Sequence, residues 1–240
     1  MENTTYTGTK ERIIKASVKL FSEKGFDATR VSEIADTANV NKALIYYYFK
    51  SKEDILDYMV HSIFHNAVSI TMDFIHTNIV QMVKDGRLDI KPDRLHFVDE
   101  EAIGHFLQNS YLYYERVTDF AIEHRHIFRI LLFESLKNGK HHNDLFRLME
   151  FSKDREDNPI FKTISEADRD FNYSEDMVLF KFFFSIMPLV SFAAYFDDYK
   201  KISLLSDAEL RSSFLRSYQI ISSSLVYGSD ILLRNNTINK

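Results

Sequence analysis

The sequence of 240 residues contains no cysteine and no tryptophan, and only three prolines and six glycines. Without cysteine the chain can form no disulfide, no thiolate zinc site and no cysteine nucleophile. So few prolines and glycines leave little turn chemistry for a fold of many strands, which favours helices. Residues 1–17 also lack an apolar run of signal-peptide length, so we expect a cytoplasmic protein.

The net charge of −5 is unevenly distributed along the chain. Residues 1–56 hold nine Lys or Arg and eight Asp or Glu, a net +1, whereas the remainder holds 21 and 27, a net −6. Any surface that binds nucleic acid must therefore be a local patch in the N-terminal part.

One apolar stretch, Met177–Phe196, is long enough to span a bilayer because it runs for twenty residues with a single charge, Lys181. Pro188 lies near its middle, and acidic pairs flank both ends. The stretch is either a single membrane anchor or a helix buried all round, in a large helical domain or in a dimer interface. We favour the buried helix and expect no membrane partner.

Apolar residues recur with a helical period over most of the chain, which predicts an all-α protein of about nine helices. Gly25 suits the left-handed residue that ends the first helix, where Phe26 can contact Phe21. Ser51 begins a pattern typical of a capping box. Residues 84–92 read as a loop, and no strand pattern of convincing length is present. The predicted helices cover about 9–24, 31–38, 42–49, 51–83, 98–123, 126–137, 175–199 and 207–233, and residues 144–173 are expected to be helical in parts.

The window from Thr29 to Leu56 meets the requirements of a helix-turn-helix. Ala35 is small where a second helix would cross, and Asn39 tolerates the positive φ that the turn needs. Four apolar or aromatic residues are spaced to lock the two helices together: Ile34, Val40, Ile45 and Tyr48. No acidic residue occurs from Thr37 to Lys52, so the second helix can enter the major groove of DNA.

About a fifth of the chain, residues 10–56, resembles the N-terminal DNA-binding domain of the TetR family of transcriptional regulators. The run Tyr46-x-Tyr48-Phe49-Lys50-Ser51-Lys52 is its most specific part. The other matching residues are Ile13–Phe21, Gly25, Thr29, Val31, Ile34, Ala35, Ala38, Asn39, Val40, Lys42, Ile45 and Glu53. The chain departs from the common family pattern at Asn39, Asn41, Ala43, Leu44 and Tyr47. These departures leave the fold intact and put the operator sequence in doubt.

The resemblance implies roles for individual residues. Thr29 would be the N-cap of the first motif helix and meet a phosphate, and Lys52 would hold another phosphate together with the N-terminus of the next helix. Lys42 could read guanine or neutralise a phosphate, Asn41 could pair with adenine, and Leu44 could contact a thymine methyl. The predicted DNA-binding residues are Thr29, Arg30, Asn41, Lys42, Ala43, Leu44, Tyr46, Tyr47 and Lys52. The two tyrosines would pack on the sugar-phosphate backbone unless they belong to the core, the place we expect for Tyr48.

The resemblance also implies two domains, a DNA-binding domain over 1–56 and a helical ligand-binding and dimerisation domain over 57–240. The last two helices, about 175–199 and 207–233, would form a homodimer interface that presents two recognition helices to a near-palindromic operator in double-stranded DNA. Pro188 could kink its helix and open a cavity among the 34 Phe and Tyr residues. Such a cavity suits a small-molecule effector, hydrophobic or aromatic and cationic. Its lining residues cannot be named from the sequence.

An enzyme is the main alternative, although the sequence contains no P-loop, GxGxxG, GxSxG or HExxH motif. His61 and His65 have a metal-capable i, i+4 spacing but no carboxylate at a diagnostic distance, so we expect no metal and no cofactor. The sequence therefore predicts a ligand-responsive transcriptional regulator, most simply a repressor that its effector releases from DNA.

Overall fold

The part of the chain that the structure describes is mostly helical, with one small hairpin. The computed structural model describes residues 2–91, 94–146, 148, 158–169 and 171–227. Its α-helices are α1 (Glu2–Lys24), α2 (Val31–Ala38), α3 (Lys42–Tyr48), α4 (Lys52–Phe74), α5 (Gln81–Lys84), α6 (Glu100–Glu123), α7 (Arg125–Ser135), α8 (Pro159–Ala167), α9 (Glu175–Phe180), α10 (Met187–Ser203) and α11 (Asp207–Tyr227). Within these residues the helices join into nine rods, because π-helical turns connect α4 to α5 and α9 to α10. The predicted all-α class and the number of helices are confirmed.

The first three helices form a small bundle around buried apolar side chains. Ile13 of α1, Ile34 of α2 and Ile45 of α3 are each at most 1% exposed and share one core. Gly25 ends α1 at φ +89°, and the Phe21 and Phe26 rings meet edge to face 5.1 Å apart. The predicted glycine ending and its aromatic contact are both confirmed.

The longest rods carry the two π-helical turns, at Ile75–Val80 and Lys181–Ile186. α4 begins at the predicted cap, where Ser51 Oγ accepts from the Asp54 N–H at 3.2 Å. Pro188 occupies the first turn of α10, directly after the second π turn. Because α10 continues the rod, the missing N–H of Pro188 removes a hydrogen bond to the preceding turn.

Residues 84–92 are not a plain loop, so that prediction is wrong. Leu88–Lys91 forms strand β1, which pairs antiparallel with β2 (Arg94–Phe97), with Leu88 opposite Phe97. Each strand is four residues long, which is too short for a two-residue alternation to stand out in the sequence. The hairpin is held by tertiary packing, since Leu88 and Ile90 are buried against α6 and α8 neighbours.

The rod Glu175–Ser203 is long and apolar enough to cross a membrane, and 28% of its most apolar window is buried within the chain. Its charged end is tied to α7, where Arg125 Nε donates to Asp197 at 2.9–3.0 Å and Arg129 Nη1 donates to Asp198 at 2.6 Å. Phe183, Tyr195 and Ile202 are 54%, 54% and 80% exposed. The chain by itself therefore does not bury this helix all round.

Candidate nucleic-acid interface

The turn between α2 and α3 has the geometry that its sequence predicts. Asn39 takes the left-handed conformation at φ 51° and ψ 55°, and the Val40 N–H donates to the Ala35 carbonyl at 3.0 Å. Arg12 of α1 reaches the Asn39 carbonyl at 3.5 Å. The angle between the two helices is therefore set by backbone hydrogen bonds as well as by the buried Ile34 and Ile45.

The outer face of α3 presents polar and aromatic side chains to solvent. Tyr46 is 49% exposed and Tyr47 is 71% exposed, so neither is a core residue. Tyr48 packs against the buried core of the three-helix bundle, as expected. Lys42 Nζ lies 5.9 Å from the Tyr46 ring centroid, and Ala43 beside it is exposed. Such a face can lie in a major groove without bringing an acidic side chain to the phosphates.

Asn41 is the N-cap of α3, and its Oδ1 accepts from the Leu44 N–H at 2.8 Å. Bidentate recognition of adenine would use the same oxygen together with the amide N–H group. Because an amide oxygen has two lone pairs, base reading by Asn41 would share this oxygen with the cap of the recognition helix. The sequence analysis missed this second role, although Asn is among the preferred N-cap residues.

Thr29 is not the N-cap of α2; that position belongs to Arg30, whose N–H donates to Glu33 Oε2 at 2.7 Å. Thr29 is 2% exposed, and its hydroxyl donates to the Gly25 carbonyl at 2.8 Å. Its own N–H donates to the Phe26 carbonyl at 3.2 Å. Because both groups are already bonded within the loop, Thr29 holds the α1–α2 loop in place.

Lys52 also points inward. Its ammonium donates to the carbonyls of Phe26 at 2.7 Å and Thr29 at 3.0 Å, and lies 4.2 Å from the Phe26 ring centroid. A residue engaged in this way ties the start of α4 to the loop that precedes α2. The exposed basic groups near α3 include Arg12, Arg30, Lys42 and Lys50.

A second feature lies behind this motif, a cavity of about 500 Å³ that we call the rear cavity. Its walls come from α4, the two π turns, α6, α8, α9, α10 and α11. Among the described residues they are mainly aliphatic and aromatic, such as Phe74, Phe106 and Phe184. This volume lies within the range of about 300–1,000 Å³ that is usual for small-molecule pockets.

Several hydroxyl groups of the cavity wall already have hydrogen-bond partners within the protein. Thr71 Oγ1 lies 3.1 Å from the Tyr113 hydroxyl, and the Tyr218 hydroxyl donates to the Ser185 carbonyl at 2.6 Å. Burial raises the pKa of both Tyr113 and Tyr218. The cavity wall therefore offers a bound molecule mostly apolar contacts.

A cluster of polar side chains connects the α1–α2 loop and the start of α4 to residues 140–144. His141 is 6% exposed, with Nδ1 2.7 Å from Asp144 Oδ2 and 3.9 Å from Asp57 Oδ1, and its ring packs edge to face on Phe26. The side chains of Asp57, His141 and Asp144 are close enough together to hold a metal ion. Lys140 Nζ, however, already lies 2.9 Å from Asp57 Oδ2 and supplies a cation there. No spacing in the sequence predicted this cluster, because Asp57 lies far from the other residues along the chain. His61 and His65, which the sequence singled out, are exposed on α4.

Comparison with known proteins agrees with this geometry. Residues 13–59 match the model of the bacterial regulatory proteins of the tetR family. The chain is 31% identical over 140 residues to the "Probable HTH-type transcriptional regulator YttP" of Bacillus subtilis, a match that covers 55% of this chain and 67% of the relative. It is 38% identical over 73 residues to IcaR of Staphylococcus aureus, the HTH-type negative transcriptional regulator of the biofilm operon icaADBC, over 30% of this chain and 34% of that one.

The fold is shared beyond the motif. A Clostridium perfringens protein, provisionally described as a fatty acid metabolism regulator, superposes with a TM-score of 0.53 at 16% identity, over 87% of this chain and 97% of that one. At this identity the similarity concerns the fold alone. The sequence matches and the helix-turn-helix geometry together show that the chain belongs to the tetR family of bacterial regulatory proteins, which bind DNA and regulate transcription.

Proposed function

We propose that this regulator is a dimeric repressor that leaves a near-palindromic operator when a largely apolar small molecule fills the rear cavity. The observation that carries the proposal is the path of α4. Ile55 and Leu56 at its start are buried with the DNA-binding motif, and Ala67, Thr71 and Phe74 near its end line the cavity. One rigid helix therefore contacts both sites. The negative regulator IcaR, similar over 73 residues, supports repression as the default role.

DNA contact is assigned to the outer face of α3 and to Arg30. Lys42, Ala43 and Leu44 would meet base edges or phosphates, and Tyr46 and Tyr47 would pack on the sugar-phosphate backbone. Asn41 contributes as the cap of the helix as well as a base contact. Thr29 and Lys52 hold the surrounding loop and contact no DNA in this proposal.

The dimer is assigned to the last two rods, with residues 1–56 as the DNA-binding domain and residues 57–240 as the ligand-binding and dimerisation domain. Tyr199 and Ile202 of α10 and Ile220 of α11 are 55%, 80% and 72% exposed. A second copy would cover these side chains, and a two-fold axis would then place two α3 helices on successive major grooves. The predicted contacts of Ser222, Leu225 and Val226 lie outside the side chains that the structure describes. On this proposal the protein is soluble, cytoplasmic and not an enzyme.

Release requires that the ligand favour one of two spacings of the recognition helices. Filling the cavity would move the later half of α4, because Phe74 packs there against Tyr113 with ring centroids 4.6 Å apart. The same helix would carry that shift to the three-helix bundle. A ligand with equal affinity for both spacings would bind without releasing DNA.

A gel shift on a palindromic fragment of the protein's own promoter tests the DNA-binding part. We expect a salt-sensitive complex with one dimer per site. Lys42→Ala should change the preference among operator variants if Lys42 reads a base, and should weaken all of them equally if it meets only phosphate. Lys84→Ala, exposed on the distant α5, is the matched control and should leave binding unchanged. A monomer that ignores duplex DNA at low ionic strength would overturn the proposal.

A further inference from the structure

Lys181 is out of place among the residues that line the rear cavity. It stands within the apolar stretch as the first residue of the second π turn, followed by the buried Phe182. Its ammonium lies 4.4 Å from the Tyr173 ring centroid. Among the described residues it forms no ion pair and no hydrogen bond. π turns are found frequently at functional sites.

The charged side chains that line the cavity, among the described residues, are all cationic. The described residues that line it include two cationic side chains, Lys181 and Arg216, and no carboxylate. Arg216 is exposed, and its guanidinium donates to Ser213 Oγ at 3.1 Å, so solvent and a neighbour satisfy it. Lys181 has only an aromatic face beside it. A cationic ligand would be repelled here, which argues against the cationic class that the sequence analysis had left open.

Burial is the cause that lowers the pKa of Lys181 to about 8. At neutral pH the side chain therefore still carries its proton, although desolvation disfavours the charged form. A leucine or methionine at this position would avoid that cost. An anionic group next to the ammonium would offset it, because a charge-assisted hydrogen bond is stronger in an apolar environment than in water.

We propose that the effector of the rear cavity is an amphiphile with a carboxylate head on an apolar body, and that Lys181 binds the head. This inference rests on the proposed function, in which the cavity holds an effector. Four hydroxyl groups of the wall are already paired, Thr71 with Tyr113 and Ser185 with Tyr218. They leave the ammonium as the group that selects the head, while the aliphatic and aromatic wall takes the body.

Direct binding to the full-length protein tests the proposal without DNA. Decanoate and decanol share an apolar chain and differ in the charge of the head, and 4-phenylbutyrate with 4-phenylbutanol form the same pair with an aromatic body. By titration calorimetry we expect each acid to bind more tightly than its alcohol. Lys181→Met should weaken the acids by about tenfold or more and leave the alcohols unchanged. Lys162→Met, at an exposed lysine of α8 outside the cavity lining, is the matched control and should change neither.

The pH dependence gives a second readout. A bound anion raises the pKa of Lys181, so binding takes up a proton and the affinity for the acids falls as pH rises through about 8. The titratable groups that face Lys181 from neighbouring elements are Tyr173, the cavity tyrosines and Arg216. Lys181→Arg should keep the preference for acids and lose this pH dependence, since an arginine stays charged.

The outcomes separate the two proposals. Binding of the alcohols with equal or weaker binding of the acids would overturn the carboxylate head and leave the cavity as a ligand site. An unchanged affinity for the acids in Lys181→Met would also overturn it. Failure of all four probes to bind would contradict the effector cavity itself. Binding that follows the expected pattern without release of DNA would confirm the head group and contradict only the proposed coupling.

Discussion

The recognition helix α3 draws its side chains from one run of seven residues, whereas the rear cavity draws its lining from residues between Ala67 and Ser223. The first surface is exposed and already shaped by a cap, a turn and a few buried contacts. The second exists only where six or more elements meet. Local chemistry therefore controls the DNA-binding face, and distant packing controls the cavity.

The largest expected effects test this comparison within α3, where buried and exposed side chains lie next to each other. Ile45 is 1% exposed, so Ile45→Ala should lower the free energy of unfolding by about 2–5 kcal/mol. Tyr47 is 71% exposed, so Tyr47→Ala should stay within about 0.5 kcal/mol of the parent and should weaken DNA binding. Chemical denaturation and gel shifts measure the two effects. A large loss of stability in Tyr47→Ala would show that this side chain belongs to the core.

Lys52 tests whether a residue from the DNA-binding motif acts through the fold. Its ammonium serves backbone carbonyls, so Lys52→Ala should lower the free energy of unfolding by about 1.5–3 kcal/mol. The slope of DNA affinity against salt concentration should stay the same. A slope that falls by about one unit would instead identify a phosphate contact. Lys50→Ala, at an exposed neighbouring lysine, is the control for a change of charge alone.

Asn41 separates capping from base reading. Asn41→Ala should cost about 1 kcal/mol of stability because the Leu44 N–H loses its acceptor. Asn41→Ser keeps an oxygen for the cap and removes the amide that adenine would need. We expect Asn41→Ser to restore stability but to alter the preference among operator variants. Equal preference in Asn41→Ser and the parent would remove the base contact and leave only the cap.

The smallest expected change in stability concerns the ion pair between Asp27 in the α1–α2 loop and Lys137 after α7. Lys137 Nζ lies 2.6 Å from Glu134 and 3.0 Å from Asp27, and both carboxylates raise the pKa of Lys137. The hydrogen bond from Lys137 in turn lowers the pKa of Asp27. Asp27→Asn should cost less than about 1 kcal/mol, because the Asp27 side chain is 75% exposed and Lys137 keeps its contact with the buried Glu134. Because the folded-state pKa of Asp27 is depressed, this contribution is present above the ordinary carboxyl pKa and is lost as pH falls through the lowered value. Denaturation at neutral and acid pH checks it, with Lys137→Arg as the control.

Much of the motif could be read in advance because its determinants are close in sequence. Asn39, Gly25 and Ser51 were assigned from turn and cap chemistry, and the structure confirms all three. The N-cap of α2 was predicted wrongly at Thr29, and the structure places it at Arg30 through contacts that the sequence does not display. Thr29 and Lys52 are residue types that suit a phosphate contact. In the structure, both side chains donate hydrogen bonds to backbone carbonyls of the α1–α2 loop.

The rear of the molecule was less predictable for the same reason. The π turns, the hairpin at Leu88 and the cluster around His141 depend on partners distant in the chain. Lys181 was visible as a charge within an apolar stretch, but the sequence did not show that it lines a cavity. Its neighbours there include residues of α6 and α11, which no periodicity relates to it.

By itself the sequence determined the helical class, the bounds of the recognition helix and the exposed character of its outer face. These follow from hydrophobic period, caps and turns, which act over a few residues. Only the tertiary structure decided which polar side chains remain available and where a space is left between the rods. Those outcomes depend on packing and on the pairing of buried polar groups, and both are set by residues that meet only after folding.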